Sequence, residues 1–179
     1  MKDIKSVARR RHDIHKNHAS SRPLSKDYEL VGLAGEVAFG KLIGLEPDLS
    51  ERPEGDEGVD FVLKNGKTVD VKTARKAYNL IHEIGKPFAD IYVLAQYDDP
   101  TESATLIGWE YGSKLAKAPT KDFGYGITNY YIGRKKLKDM TLLMNKEYEL
   151  EEPPVPWFTR GELWALEQRD KENEFNDNS

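Results

Sequence analysis

Asn65-Gly66 lies between two short runs in which apolar and charged residues alternate, GVDFVLK before it and KTVDVKTAR after it. A turn dipeptide flanked by alternation is a strong hairpin signal, so strands are expected over about 58–63 and 67–73. The hairpin is restrictive because Asp60, Asp70 and Lys72 sit inside it among apolar neighbours. Successive side chains point to opposite faces of a strand. Asp70 and Lys72 therefore share a face with Thr68, and Val69, Val71 and Thr73 share the other. In the preceding strand Asp60 goes with Val62, opposite Val59, Phe61 and Leu63.

Whether Asp60 joins Asp70 depends on the turn. A two-residue Asn65-Gly66 loop pairs Lys64 with Lys67 and turns Asp60 away from Asp70. A three-residue loop, with Gly66 in the left-handed region, pairs Leu63 with Lys67 and sets Asp60 across from Asp70, with β-carbons about 5 Å apart. The composition admits both, and the chemistry selects the second. Two carboxylates that close repel by several kcal/mol at an effective dielectric of ~20, and a divalent cation offsets that directly. Mg²⁺ takes a few carboxylate oxygens and completes its shell with water and phosphate oxygens. Lys72 points at the same spot, where it can orient a water or stabilise charge developing on a phosphate.

A further acid is expected from the helix before the hairpin. The segment SKDYELVGLAGEVAFGKLIG reads as a helix from about Ser25 to Ile43, with Ser25 as N-cap and Gly44 at its end. Its apolar residues look buried, and Gly32, Gly35 and Gly40 are expected to let it approach the sheet. Glu36 lies among them, near enough to serve the cation or its water.

Around this core, residues 90–97 and 104–110 read as buried strands, 111–118 as a short helix, and 128–133 as a further strand, with 75–88 a connection. A helix is also expected after the capping box at Thr159. The order describes a single α/β domain, a mixed sheet flanked by helices, over residues 25–145. Residues 1–24 form a basic helical arm, and 146–179 a Pro-rich linker, C-terminal helix and acidic tail.

Charge separates along the chain. Residues 1–26 carry eight Lys/Arg against two Asp, while 147–179 carry ten Asp/Glu against three Lys/Arg. Such asymmetry points to nucleic acid, with Lys5, Arg9, Arg10, Arg11 and Lys16 as the expected phosphate contacts. The absence of cysteine excludes disulfides, thiolate metal sites and a cysteine nucleophile. No apolar run approaches the ~18 residues of a membrane span and no signal peptide opens the sequence, so a cytoplasmic protein with no membrane partner is expected.

Glu36 in AGEVAFG, Asp60 in GVDF and Asp70-Val71-Lys72 in VDVKT together resemble the PD-(D/E)XK nuclease superfamily, the restriction-endonuclease-like fold. The likeness runs over about 25–110, and within the superfamily it is nearest to small stand-alone and phage-type enzymes. It implies a deoxyribonuclease, an endonuclease in particular, that hydrolyses phosphodiesters of DNA with Mg²⁺ or Mn²⁺. By resemblance Asp60, Asp70 and the carbonyl of Val71 hold the metal, Lys72 assists the attacking water, and Glu36 supports metal or water. Gln96, at the end of the next strand, is carried over as a further polar site residue. Val59 stands where the family often has Pro, and Asp70 where it often has Glu. Many members dimerise to cut two strands, so a homodimer is the assembly the resemblance allows. The rival expectation is an inactive member of the same fold that binds DNA or a protein.

Overall fold

A computed structural model describes residues 4–15, 27–47 and 58–146, all within one unit, Met1–Tyr148. It is mixed α/β, with two sheets and a few helices. Helix α1 (Ile4–His15) lays Val7 and Ala8 on Leu33 of α2 (Tyr28–Ile43). Leu33 faces α1 while Phe39 and Ile43 face the sheet core, so α2 is buried on more than one side. Asp27 precedes its first turn but does not cap it with its side chain; that carboxylate goes to Arg75, 2.5 Å away. Ser25, expected as the cap, lies outside the described residues, as do Lys16, the Pro-rich linker, the helix after Thr159 and the acidic tail.

The larger sheet has the order β1 (Phe61–Val62), β2 (Thr68–Ala74), β4 (Ile91–Asp98), β5 (Ser103–Tyr111), with β2 and β4 parallel and the other pairs antiparallel. The smaller sheet runs β3 (Asn79–Glu83), β7 (Thr128–Gly133), β6 (Thr120–Asp122), all antiparallel. Helices α3 (Gly112–Leu115) and α4 (Met140–Lys146) and a 3₁₀ turn at Arg134–Lys136 complete the described elements.

The alternation in β2 divides the molecule. Val69 and Val71 face Phe39, Ile43, Phe61, Leu63 and Val93 on the helix side. Tyr92 and Leu94, on the other side of the larger sheet, meet Leu80 and Ile132 of the smaller one. Close approach on the helix side depends on one glycine. A β-carbon at Gly35 would lie 1.9 Å from Thr73 Oγ1, so a side chain there requires Thr73 to turn away or α2 to shift from β2. The other two glycines behave differently from expectation: Gly32 meets nothing, and Gly40 sits against the Leu45 carbonyl at the helix's own end.

Three elements depart from the sequence reading. Residues 79–83 form a strand inside what reads as a connection, β6 forms without any apolar alternation, and α4 follows the 3₁₀ turn. Among the described residues no helix is long and apolar enough to cross a membrane.

Candidate functional site

The turn is the three-residue one. Gly66 has φ of 82°, Gly66 N–H donates to Leu63 O at 2.9 Å, and Leu63 N–H donates to Lys67 O at 2.8 Å. Asn65 Oδ1 accepts from Lys67 N–H at 3.1 Å and stiffens the loop. Phe61 pairs with Val69 and Val62 with Thr68, and continuing that register sets Asp60 across from Asp70. The regular ladder stops there: Asp60 N–H reaches the Val69 carbonyl at 2.9 Å, and Asp60 Oδ2 accepts from Val71 N–H at 2.6 Å. A short carboxylate thus takes the place of the next ladder bond. It lies on the amide that joins Asp70 to Val71.

Asp70 is buried on the face turned to the smaller sheet. Its side chain is 5% exposed, and Lys72 Nζ, on a side chain 38% exposed, lies 2.6 Å from its Oδ2. Gly58 leaves room on the other flank, since a β-carbon there would lie 3.8 Å from Asp70 Oδ2. Tyr92 of β4 stands beside Asp70 in parallel register. Tyr92 OH accepts from Ala89 N–H at 3.1 Å and lies 3.1 Å from His82 Nδ1, while His82 Nε2 lies 3.2 Å from Lys86 O. That set is satisfied by a neutral imidazole: Tyr92 donates to Nδ1, and Nε2–H donates to the carbonyl. Burial pushes the His82 pKa down, with the Lys72 charge adding to it against the Lys86 carbonyl and Asp70. Burial also pushes the Tyr92 hydroxyl up to about 12, aided by Asp70. His82 packs its ring against Phe88, centroids 4.1 Å apart.

His82 and Tyr92 are the wall that sequence reasoning missed. The signal was the alternation of NLIHE, which sets Leu80 and His82 on one face, both buried.

Glu36 is placed differently from the two strand acids. It faces Arg11 of α1, Nη1 to Oε1 3.9 Å, both side chains 12% exposed, and its helix packs on the Val71 and Thr73 side of β2. Among the described residues no group of three or more His, Cys, Asp or Glu is arranged to hold one ion. Asp60, Asp70 and Lys72 are brought together; Glu36 is not brought into one cluster with both aspartates. Gln96 stands across from Ala74 and accepts from Arg134 Nη1 at 3.1 Å. Val71 buries its side chain in the core while its amide meets Asp60.

The N-terminal cations are divided among different tasks. Lys5 pairs with Glu102 at 2.5 Å, Arg10 reaches Ser6 at 3.3 Å, Arg11 turns to Glu36, and Arg9 is exposed. Helix α1 is packed on α2 rather than standing off it as an arm.

A second buried carboxylate lies two strands from the first. Glu110 of β5 is paired in register with Tyr92 and its side chain is 1% exposed. It takes Lys138 Nζ and the Tyr111 N–H (3.0 Å), with Lys114 Nζ at 3.7 Å. Lys138 is held from both ends: its backbone exchanges two 3.0 Å bonds with Trp109, and its ammonium lies 4.8 Å and 4.7 Å from the ring centroids of Trp109 and Tyr111.

No family model matches this chain, and neither a curated protein nor a solved structure matches it.

Proposed function

We propose that the chain is a divalent-metal-dependent deoxyribonuclease of the restriction-endonuclease-like fold, acting at Asp60, Asp70 and Lys72. The observation that carries this reading is the three-residue turn at Gly66, which puts the carboxylate of Asp60 on the Asp70–Val71 amide, one residue before Lys72. The donor set fits Mg²⁺ or Mn²⁺. Carboxylates and a backbone carbonyl are hard oxygen ligands, and a site with two protein carboxylates leaves the remaining positions to water and phosphate, as Mg²⁺ prefers. When bound, such an ion polarises a phosphodiester and lowers the pKa of a coordinated water.

The chain's own groups do the rest. Asp60 and Asp70 supply negative charge from a rigid two-strand frame. Lys72 is held by Asp70 and is partly open to solvent, so its ammonium can meet a phosphate oxygen or an attacking water. His82 and Tyr92, each buried, close one side of Asp70 against bulk water. Glu36, bound to Arg11, contributes through the position of α2 more readily than as a ligand.

The arrangement of Glu36 also favours a second reading, an inactive DNA-binding or protein-binding member of the same fold. Divalent-dependent plasmid nicking, with Lys72→Ala as control, separates the two. Nicking by wild type that needs Mg²⁺ or Mn²⁺ and is lost in the variant supports the nuclease. DNA binding without nicking under any divalent ion supports the alternative.

A further inference from the structure

The cations of the described residues are not all alike. Arg75 is saturated by Asp27 and Asp99, and Lys138 by Glu110. Asp98, at the end of β4, is turned to Thr101. Arg134, Lys135 and Lys136, on the 3₁₀ turn after β7, and Lys76, after β2, are exposed, and none forms an ion pair among the described residues. Tyr78 stands among them with 63% of its surface exposed, an unusual place for a tyrosine. Its carbonyl accepts from Arg134 N–H at 2.9 Å, so the exposed ring and the cationic turn are locked together.

Gln96 ties this surface to the site. Lys72 pairs with Leu94 and Ala74 with Gln96, so Gln96 is one strand across and one strand repeat along from Lys72, roughly 8 Å between α-carbons by standard sheet spacings. Its carboxamide oxygen accepts from Arg134 Nη1 on that same face. A guanidinium steered by one bond keeps its other donors for a phosphate.

We infer that Arg134, Lys135, Lys136 and Tyr78 form a track for a nucleic-acid strand leading away from Lys72, with phosphates on the cations and a base on the Tyr78 ring. Exposed cations without an ion pair among the described residues, beside an exposed aromatic, match that chemistry, since a strand offers a charged backbone and stackable bases together. Gln96 is then a positioning residue for Arg134. The track rests on the nuclease reading for its direction but not for its existence.

The test is fluorescence anisotropy with a short labelled DNA oligonucleotide, single-stranded and as duplex, without divalent ion and across a range of salt. In the Arg134→Gln/Lys135→Gln/Lys136→Gln variant the log–log salt slope should become shallower by about 2 on the single strand and nearly 3 on duplex, from ~0.7 and ~0.9 per lost contact. Tyr78→Ala should weaken single-strand binding by roughly 5- to 100-fold with the slope unchanged. Lys41→Gln, on the exposed last turn of α2, is the control and should change neither. Should the triple variant melt below wild type, Lys135→Gln and Lys136→Gln singly should each remove about 0.7–0.9 of slope. A wild-type slope in the folded variants overturns the track while leaving nicking to judge the nuclease. A shallower slope in a protein that never nicks DNA keeps the track and defeats the nuclease. Absence of DNA binding by wild type overturns both.

Discussion

Asp70 and Glu110 lie on the same face of one sheet, with Tyr92 in register between them, and each buried carboxylate is bound by a lysine. What differs is the balance of charge around them. Glu110 is approached by two ammonium groups, and Lys138 is clamped by its backbone and roofed by two aromatic rings. Asp70 is paired with Lys72, whose side chain reaches solvent, and a second carboxylate, Asp60, lies on the Val71 amide across the hairpin. Similar pairs are therefore built differently. The first arrangement closes on itself and holds Lys138 to β5, whereas the second pairs a buried carboxylate with a lysine that reaches solvent, as the proposed nuclease reading requires.

Substitutions of the two lysines should separate these roles. The largest effect is expected from Lys72→Ala, which should lower the nicking rate by about a thousandfold or more, equivalent to ~4 kcal/mol of transition-state stabilisation. Its stability should also fall, because a buried Asp70 loses the ammonium beside it, but by less than in Lys138→Ala, where the lysine removed is clamped by its backbone and roofed by two rings. Nicking at the wild-type rate would remove Lys72 from the mechanism.

Lys138→Ala should do the reverse. Glu110 would be left buried, with the exposed Lys114 as its remaining ammonium, and denaturant midpoints should report a loss of about 3 kcal/mol. The nicking rate per folded molecule should be unchanged. If Lys72→Ala proves the more destabilising of the two, the contrast between the sites is wrong.

Asp70→Asn sharpens the contrast from the acid side. Calorimetric Mg²⁺ binding should collapse, while stability without metal should remain within about 1 kcal/mol of wild type or rise, since like-charge repulsion is relieved. The smallest effect is one of pH. His82 is held neutral by burial and its folded pKa is depressed, so its contribution is complete above its unfolded value of about 6.5 and is lost as pH falls from there toward the folded value. Denaturant midpoints should therefore decline on that limb, and His82→Gln should flatten it. Asp90, Asp122 and Asp139 are lowered by bonds from Thr68, from the amides of Tyr125 and Gly124, and from Thr141, so their contributions fade only below about pH 4.

The hairpin was legible because turn chemistry and side-chain period both act locally, whereas its register was not fixed by Asn65 and Gly66, which admit two loop lengths, and came from asking which one sets Asp60 across from Asp70. The coarse α/β class followed from the same kind of pattern. Strand β3 was missed, its one local signal being the short alternation of NLIHE. Its five residues sit between turn residues, and their extended form is fixed by pairing with β7, far along the chain. β6 is exposed along its whole length and so has no alternation to read. With β3 unseen, His82 had no face, and the wall beside Asp70 was missed. The placement of Glu36 was hidden for a related reason: Arg11 reaches it only because α1 packs on α2, a contact between two helices that neither segment announces.

The pairing of β3 with β7 also sets an order of assembly. The hairpin that carries Asp60 and Asp70 closes over a short stretch of chain, and β4 follows soon after. The strand holding His82 must wait for residues 128–133 before its ladder can form. Contacts so distant in sequence are slow to close, and during synthesis they cannot close until the later strand has emerged. A nascent chain therefore acquires its acidic hairpin and Tyr92 early, and the His82 part of the wall late. The half-made chain thus displays the Asp60 and Asp70 carboxylates before the smaller sheet that sets His82 beside them is complete.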